Sequence, residues 1–288
     1  MTPLTELSRL AQPAFAERTR LALTRNQFVA LLVVVCACAG ASRAVVGVVD
    51  VTEALVRGFI DNKVLWVCLG ISAWHLVRNA SAPVGGAHLA AAFPALFLVA
   101  TAGGIWPWAG LSLSLCLLLL TDFAQGAART GVLIALMAAL HIVAIEILGE
   151  LGGDAVLSAE ASVAGFMAGL VWPDVEVHGT ALQLSGGHML VLVWGCSSLS
   201  NLGDAMLLFW ALSSVSVSGP IPHQLTRRFV GCAVLLACVA IALNTLRLAL
   251  MACGPDLYTY LHSGPGAASF RLIILGMTAA ISLTAFSR

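Results

Sequence analysis

One cysteine in this sequence stands among groups able to act on it. The run VLVWGCSSLSNLGDAMLLFW carries Cys196, Ser197, Ser200, Asn201 and Asp204. Read as a helix, it places Cys196, Ser200 and Asp204 at i, i+4 and i+8, with Ser197 and Asn201 on neighbouring rows. A polar face inside an apolar stretch must look into a bundle or a wet cavity, because lipid cannot satisfy it. Hydrogen bonding between helices by small residues is the structural alternative. Farther on, AIALNTLRLALMACG sets Asn244 and Arg247 at i and i+3, pointing the same way. An arginine within an apolar span costs at least ~2.5 kcal/mol on insertion scales, so it has a partner, a task, or a route to the headgroups by snorkelling. Asn244 one turn earlier weighs against snorkelling, since an amide orients a guanidinium and has no use for lipid. The loop GPDLYTYLHSGPGAASF then supplies His262. A thiol, an imidazole and a fixed cation suit acyl transfer: thiolate as nucleophile, histidine as acid and base, arginine as oxyanion donor. Cys253 is the positional rival of Cys196. The company of Ser197, Ser200 and Asn201 favours Cys196, and Arg247 or a protonated His262 is expected to lower its pKa toward neutrality.

These residues must be positioned by membrane helices. Of 288 residues, 60% are hydrophobic and 10% charged, against about 25% charged in soluble domains. A bilayer core needs roughly 20 apolar residues per helix, fewer where polar groups face the bundle. That ruler predicts an all-α integral membrane protein, a polytopic bundle of about eight transmembrane helices. The spans expected are 28–49, 64–77, 89–104, 108–120, 131–148, 189–212, 229–252 and 270–286. The stretch 155–171, interrupted by Ser158, Glu160, Ser162, Gly165 and Gly169, reads as an interfacial or re-entrant helix. The segment 174–188 alternates apolar and polar residues and carries glycines, so a short exported β-like hairpin is expected before the sixth span.

Orientation follows from the basic residues, which collect in cytoplasmic loops. With the N-terminus inside, Arg9, Arg18, Arg20, Arg25, Arg78, Arg129, Arg227, Arg228 and Arg288 are all cytoplasmic. The opposite face receives Asp50, Glu53, Asp61, Glu150, Asp154, Asp174, Glu176 and Asp256 against Arg57, Lys63 and Arg271. Both termini are thus expected in the cytoplasm, with Cys196, Arg247 and His262 converging at the exported ends of three consecutive helices. Residues 1–27 read as a cytoplasmic segment, too long and too acidic before the first apolar run for a cleavable signal peptide, and the whole chain as one domain. Net charge is zero, which leaves no electrostatic footprint for nucleic acid. The other cysteines among the eight, Cys36, Cys38, Cys68, Cys116, Cys232 and Cys238, lie in apolar runs and read as small buried hydrophobes.

Over 174–270, about the last two fifths of the chain, the sequence resembles the exosortase/archaeosortase family of membrane-embedded protein-sorting transpeptidases. The resemblance lies in the glycine-bearing β-like stretch leading into Cys196-Ser197, in Asn244-x-x-Arg247, and in His262 followed by Gly266 and Phe270. It implies that Cys196, Arg247 and His262 are catalytic, with Asn244, Ser197 and Asn201 in support, and that no cofactor or metal is used. It further implies substrates that are membrane-anchored proteins ending in a sorting signal: a motif of Pro-Glu-Pro type, a transmembrane helix and a basic tail. Ser198 departs from the family's Cys-Ser-Gly, which is expected to narrow the space beside the nucleophile or to alter substrate choice. A different class of function, a small-solute or proton-coupled transporter, would use Asp204, His141 and Glu146 as a proton relay. A metal site at His178, His188 and His262 with Glu176 lacks ligand spacing on any one helix.

Overall fold

The computed structural model describes residues 23–43, 62–78, 82–102, 104–121, 126–184, 187–216 and 223–286. The expected cytoplasmic segment up to residue 22, the end of the first span beyond residue 43, and the charges at Asp50, Glu53, Arg57, Asp61 and Arg288 lie outside these residues. Nine helices appear among the described residues: α1 (Arg25–Arg43), α2 (Lys63–Val77), α3 (Gly86–Thr101), α4 (Trp106–Leu119), α5 (Gly126–Gly169), α6 (Ser198–Ser216), α7 (His223–Ala252), the short α8 (Pro255–His262) and α9 (Pro265–Phe286). Three of them are long and apolar enough to cross a membrane, over Ala128–Gly169, Arg227–Ala252 and Pro265–Ala285. Four shorter apolar helices, α1 to α4, pack with α5 and α6 around one core that includes Leu111, Leu115, Leu118 and Ile134. Phe93, Phe166, Leu151, Leu272 and Leu283 meanwhile stand more than three-fifths exposed. Large side chains so placed suit lipid better than water.

Close helix contacts are made where side chains are absent. At Gly131 of α5 a Cβ would come within 2.8 Å of the Ser72 carbonyl oxygen on α2, and the Ser72 hydroxyl donates to the Gly131 carbonyl at 2.7 Å. Small residues in membranes let backbones approach in this way.

The stretch expected as a separate re-entrant helix is the upper part of α5, which runs unbroken for 44 residues. At ~1.5 Å per residue it is about 66 Å long, roughly twice a bilayer core. The residues that looked like interruptions are its packing surface. Gly165 leaves room for Val177 and Leu182 of the sheet, the Ser162 hydroxyl bonds back to the Ser158 carbonyl at 2.9 Å, and Glu160 reaches the nucleophile turn. The stretch therefore does not fold back as a helix of its own.

The expected β-like segment is a three-stranded antiparallel sheet, β1 (Val175–His178), β2 (Ala181–Leu184) and β3 (Met189–Val191), in the order β1-β2-β3. The sixth helix therefore does not begin at Met189, as the apolar run had predicted. Strand β3 comes first, then a tight 3-10 turn over Trp194–Cys196, and α6 starts at Ser198. Leu182, Leu190 and Leu192 are buried with Leu157, Ala161 and Ala164 of α5 and Leu248 and Met251 of α7, forming a second core under the sheet.

Candidate active site

Cys196 ends the 3-10 turn and Ser197 is extended (φ −63, ψ 142), so the helical register does not run from Cys196 to Ser200 and Asp204. The expected single polar face is corrected accordingly: the thiol sits ahead of the helix, while Asp204 lies two turns within it. The Asp204 carboxylate meets Nε2 of His141 on α5 at 3.0 Å, and Gly203 admits the imidazole, which a side chain there would strike.

Four groups hold the turn at Cys196. Ser197 caps α6, its hydroxyl oxygen accepting from the Leu199 N–H at 3.0 Å while the hydroxyl itself donates to Glu160 Oε1 at 2.9 Å. The Ser198 N–H donates to the same oxygen at 2.8 Å. Asn244, 1% exposed, donates from Nδ2 to the Cys196 carbonyl at 2.8 Å and to the Ser198 hydroxyl at 3.1 Å. Asn201 donates to the Ser197 carbonyl at 3.0 Å and to Asn244 Oδ1 at 3.1 Å. Asn244 thus holds the turn and not Arg247, contrary to the expected amide–guanidinium pair. The Ser198 hydroxyl points at Asn244 and does not line the cavity beside the thiol, so the narrowing expected there is absent.

The other groups arrive from α7 and α8. Helix α8 begins with Pro255 at its first turn, a position where the missing N–H costs nothing. Its last residue, His262, places Nδ1 at 3.9 Å from Cys196 Sγ, and Tyr258 one turn earlier stacks on the imidazole at 4.9 Å. The following turn is tight: a Cβ on Gly266 would lie 2.5 Å from the Tyr260 ring. Arg247 donates from Nε to the Leu261 carbonyl at 3.1 Å. That bond ties the guanidinium to the residue before His262.

Cys196, Tyr258 and His262 border a cavity of about 250 Å³, lined also by residues 190–193, Leu248 and Met251. The backbone amides near the thiol are already committed. Those of Cys196 and Ser197 donate to the Val193 and Trp194 carbonyls, Ser198 to Glu160 and Leu199 to Ser197. An oxyanion formed at Cys196 would therefore look to the Arg247 side chain.

Burial pushes the Cys196 thiol above its ordinary pKa; Arg247 pulls it back, the Glu160 carboxylate pushes it up again, and Arg271 lowers it. The shift is thus upward, opposite to the lowering expected from the sequence, and the His262 imidazole is within reach of the thiol. Cys253 is also raised, by burial alone. Its thiol donates back to the Ala249 carbonyl at 3.0 Å, and it does not line the cavity.

The structure brings Cys196, Ser197, Asn201, Asn244, Arg247 and His262 together. It does not gather the other histidines: His178 pairs with Glu176 on β1 at 3.1 Å, and His188 contacts the Met251 carbonyl at 3.2 Å. Sequence reasoning missed Glu160 and Tyr258. A carboxylate in the apolar stretch 155–171 was the available signal for Glu160; Tyr258, one helical turn before His262, had none beyond that spacing. No family model matches the chain, and no curated protein or solved structure is significantly similar to it.

Proposed function

We propose that the protein is a membrane-embedded cysteine transpeptidase or peptidase acting on exported proteins anchored by a C-terminal sorting helix, as the resemblance to the exosortase/archaeosortase group implies. In this reading α1 to α7 and α9 cross the bacterial inner membrane eight times, with both termini cytoplasmic and the cavity at the exported face. Arg228 and Arg247 lie 19 residues apart on the unbroken α7, about 28 Å, which fits one basic end inside and one outside.

The observation that carries the reading is the Cys196 thiol 3.9 Å from His262 Nδ1, with the Arg247 charge acting on the thiol and the nearby amides already bonded. His262 takes the thiol proton as sulfur bonds to the scissile carbonyl carbon, and Arg247 receives the oxyanion. Collapse breaks the C–N bond, and His262 returns the proton to the leaving amine. An acceptor amine or water then attacks the thioester, gives its proton to His262 and thence to sulfur, and restores the thiol.

The test is reconstitution in liposomes with a tagged protein ending in a Pro-Glu-Pro motif, an apolar helix and a basic tail. Cleavage and a covalent adduct on Cys196 are expected; Cys196→Ala loses both and Cys253→Ala keeps both. Full cleavage by the Cys196→Ala protein ends the reading. The pairing of His141 with Asp204 favours a second reading, a proton-coupled transporter. Such a protein would move solute across the liposome membrane and leave no adduct on Cys196.

A further inference from the structure

We propose that the free edge of β3 binds an extended stretch of the substrate polypeptide as a fourth strand and so delivers its carbonyl to Cys196. This rests on the peptidase reading above and names how that site holds its substrate.

The register decides which backbone groups are available. Leu182 pairs with Leu190 and Ala181 with Val191, the Leu192 N–H donates to the Thr180 carbonyl at 2.9 Å, and the Leu184 N–H donates to the His188 carbonyl at 3.0 Å. Hydrogen-bonded pairs alternate along an antiparallel ladder, so residues 188, 190 and 192 bond inward to β2. Val191 accordingly turns its N–H and its carbonyl toward the other edge, while the Val193 N–H faces the Cys196 thiol. The Val193 carbonyl is occupied by the Cys196 N–H at 2.8 Å. Strand β3 is last in the order β1-β2-β3, and no further strand pairs with it among the described residues.

Three features make this edge a binding surface. Extension continues past the strand, with Val193 at φ −118 and ψ 156, so the edge leads directly to the nucleophile turn. The same residues, 190–193, form one wall of the cavity that contains Cys196 and His262. Val191 and Val193 are 50% and 53% exposed, and no strand covers this edge among the described residues. Native sheets usually protect such edges with charge, proline or cover; this one has apolar residues and opens on a thiol. A peptide added there gains main-chain hydrogen bonds with little demand on its side chains, while pockets beside the strand read alternate residues.

Thiol-directed peptides test this on the intact protein in detergent. The probe is an acetylated tetra-alanyl chloromethyl ketone, whose terminal carbon alkylates Cys196, together with analogues N-methylated at one residue each. Methyl groups on one alternate set of amides are expected to slow labelling about tenfold, and those on the other set to leave it nearly unchanged, the scale being that of one or two hydrogen bonds. Val191→Pro removes an outward N–H without touching the β2 ladder, since proline is tolerated where the N–H faces away. It should slow the peptide reagent about as much and leave iodoacetamide labelling of Cys196 at the wild-type rate. Equal effects of N-methylation at every position, no labelling of Cys196 by the parent peptide, or wild-type labelling of Val191→Pro would each overturn the proposal. The peptidase reading fails by a separate result, cleavage that survives Cys196→Ala.

Discussion

Removing Asn244 tests whether one buried amide holds the nucleophile. Asn244→Ala deletes three hydrogen bonds: to the Cys196 carbonyl at 2.8 Å, to the Ser198 hydroxyl at 3.1 Å, and from Asn201 at 3.1 Å. The Ser198 hydroxyl can turn to another partner, but the Cys196 carbonyl belongs to a residue only 7% exposed. An orphaned buried acceptor costs about 1–3 kcal/mol, and the truncated side chain leaves a small void as well. A loss of about 2–4 kcal/mol follows, or roughly 5–10 °C in the unfolding midpoint for a chain somewhat larger than those on which the scaling rests. Because Asn201 bonds both Ser197 and Asn244, its own replacement should cost less in the Asn244→Ala background, with a coupling of about 0.5–1.5 kcal/mol. The functional signs are opposite for two reactions. Iodoacetamide labelling of Cys196 should speed up as the turn loosens, while substrate cleavage falls because the thiol leaves its place beside His262. Thermal unfolding in detergent and paired labelling and cleavage assays read these quantities. Strict additivity of Asn201→Ala and Asn244→Ala, or labelling and cleavage moving in the same direction, would refute the argument.

Arg247→Lys keeps the charge but loses the Nε bond to Leu261 and the planar fork; turnover should drop about 10²-fold with Cys196 still labelled at the wild-type pH dependence. Arg247→Ala removes the charge that lowers the Cys196 pKa, so its labelling profile should move to higher pH, and maleimide rates at pH 7 should fall. Glu160→Gln removes a charge that raises that pKa and keeps an acceptor for Ser197 and Ser198, so maleimide labelling at pH 7 should quicken; an unchanged rate would mean that Glu160 does not act on the thiol electrostatically. For orientation, a reporter active only in the cytoplasm should work when fused after Arg228 and fail after Ser263, and the reverse pattern would put the cavity on the other face.

Long apolar runs were legible because burial in lipid or in a bundle demands them along the whole length of a helix. The expected 64–77 and 229–252 correspond to Lys63–Val77 and His223–Ala252. Convergence of Cys196, Arg247 and His262 was also legible, since it follows from alternating helix direction alone. What failed were the places where a partner distant in sequence decides the local structure. The apolar residues 189–193 suit a strand as well as a helix, and β2 beside them selects the strand. Glycine and serine in 155–171 resemble breakers until the sheet and the nucleophile turn are set against them. Asn244 was assigned to its neighbour Arg247 by spacing, yet its bonds run to residues 46 and 48 positions away.

The strand and the turn together account for where the Cys196 thiol sits and for the upward shift of its pKa. Had residues 189–212 formed one helix, Cys196 would lie inside it, its backbone locked into the helical ladder. Starting α6 at Ser198 instead puts the thiol just ahead of a helix N-terminus, a location that ordinarily favours an anion. Here Glu160 already occupies that position, accepting the Ser197 hydroxyl and the Ser198 N–H, so the positive end of α6 is satisfied by a carboxylate and not by sulfur. Burial and Glu160 hold the proton on the thiol, while Arg247 favours its departure. Oxidation follows thiolate character and exposure, so a 7% exposed cysteine with a raised pKa is expected to oxidise slowly. In the proposed peptidase, reactivity would then depend on His262 accepting the proton as a carbonyl arrives, which would tie nucleophile formation to binding at the β3 edge.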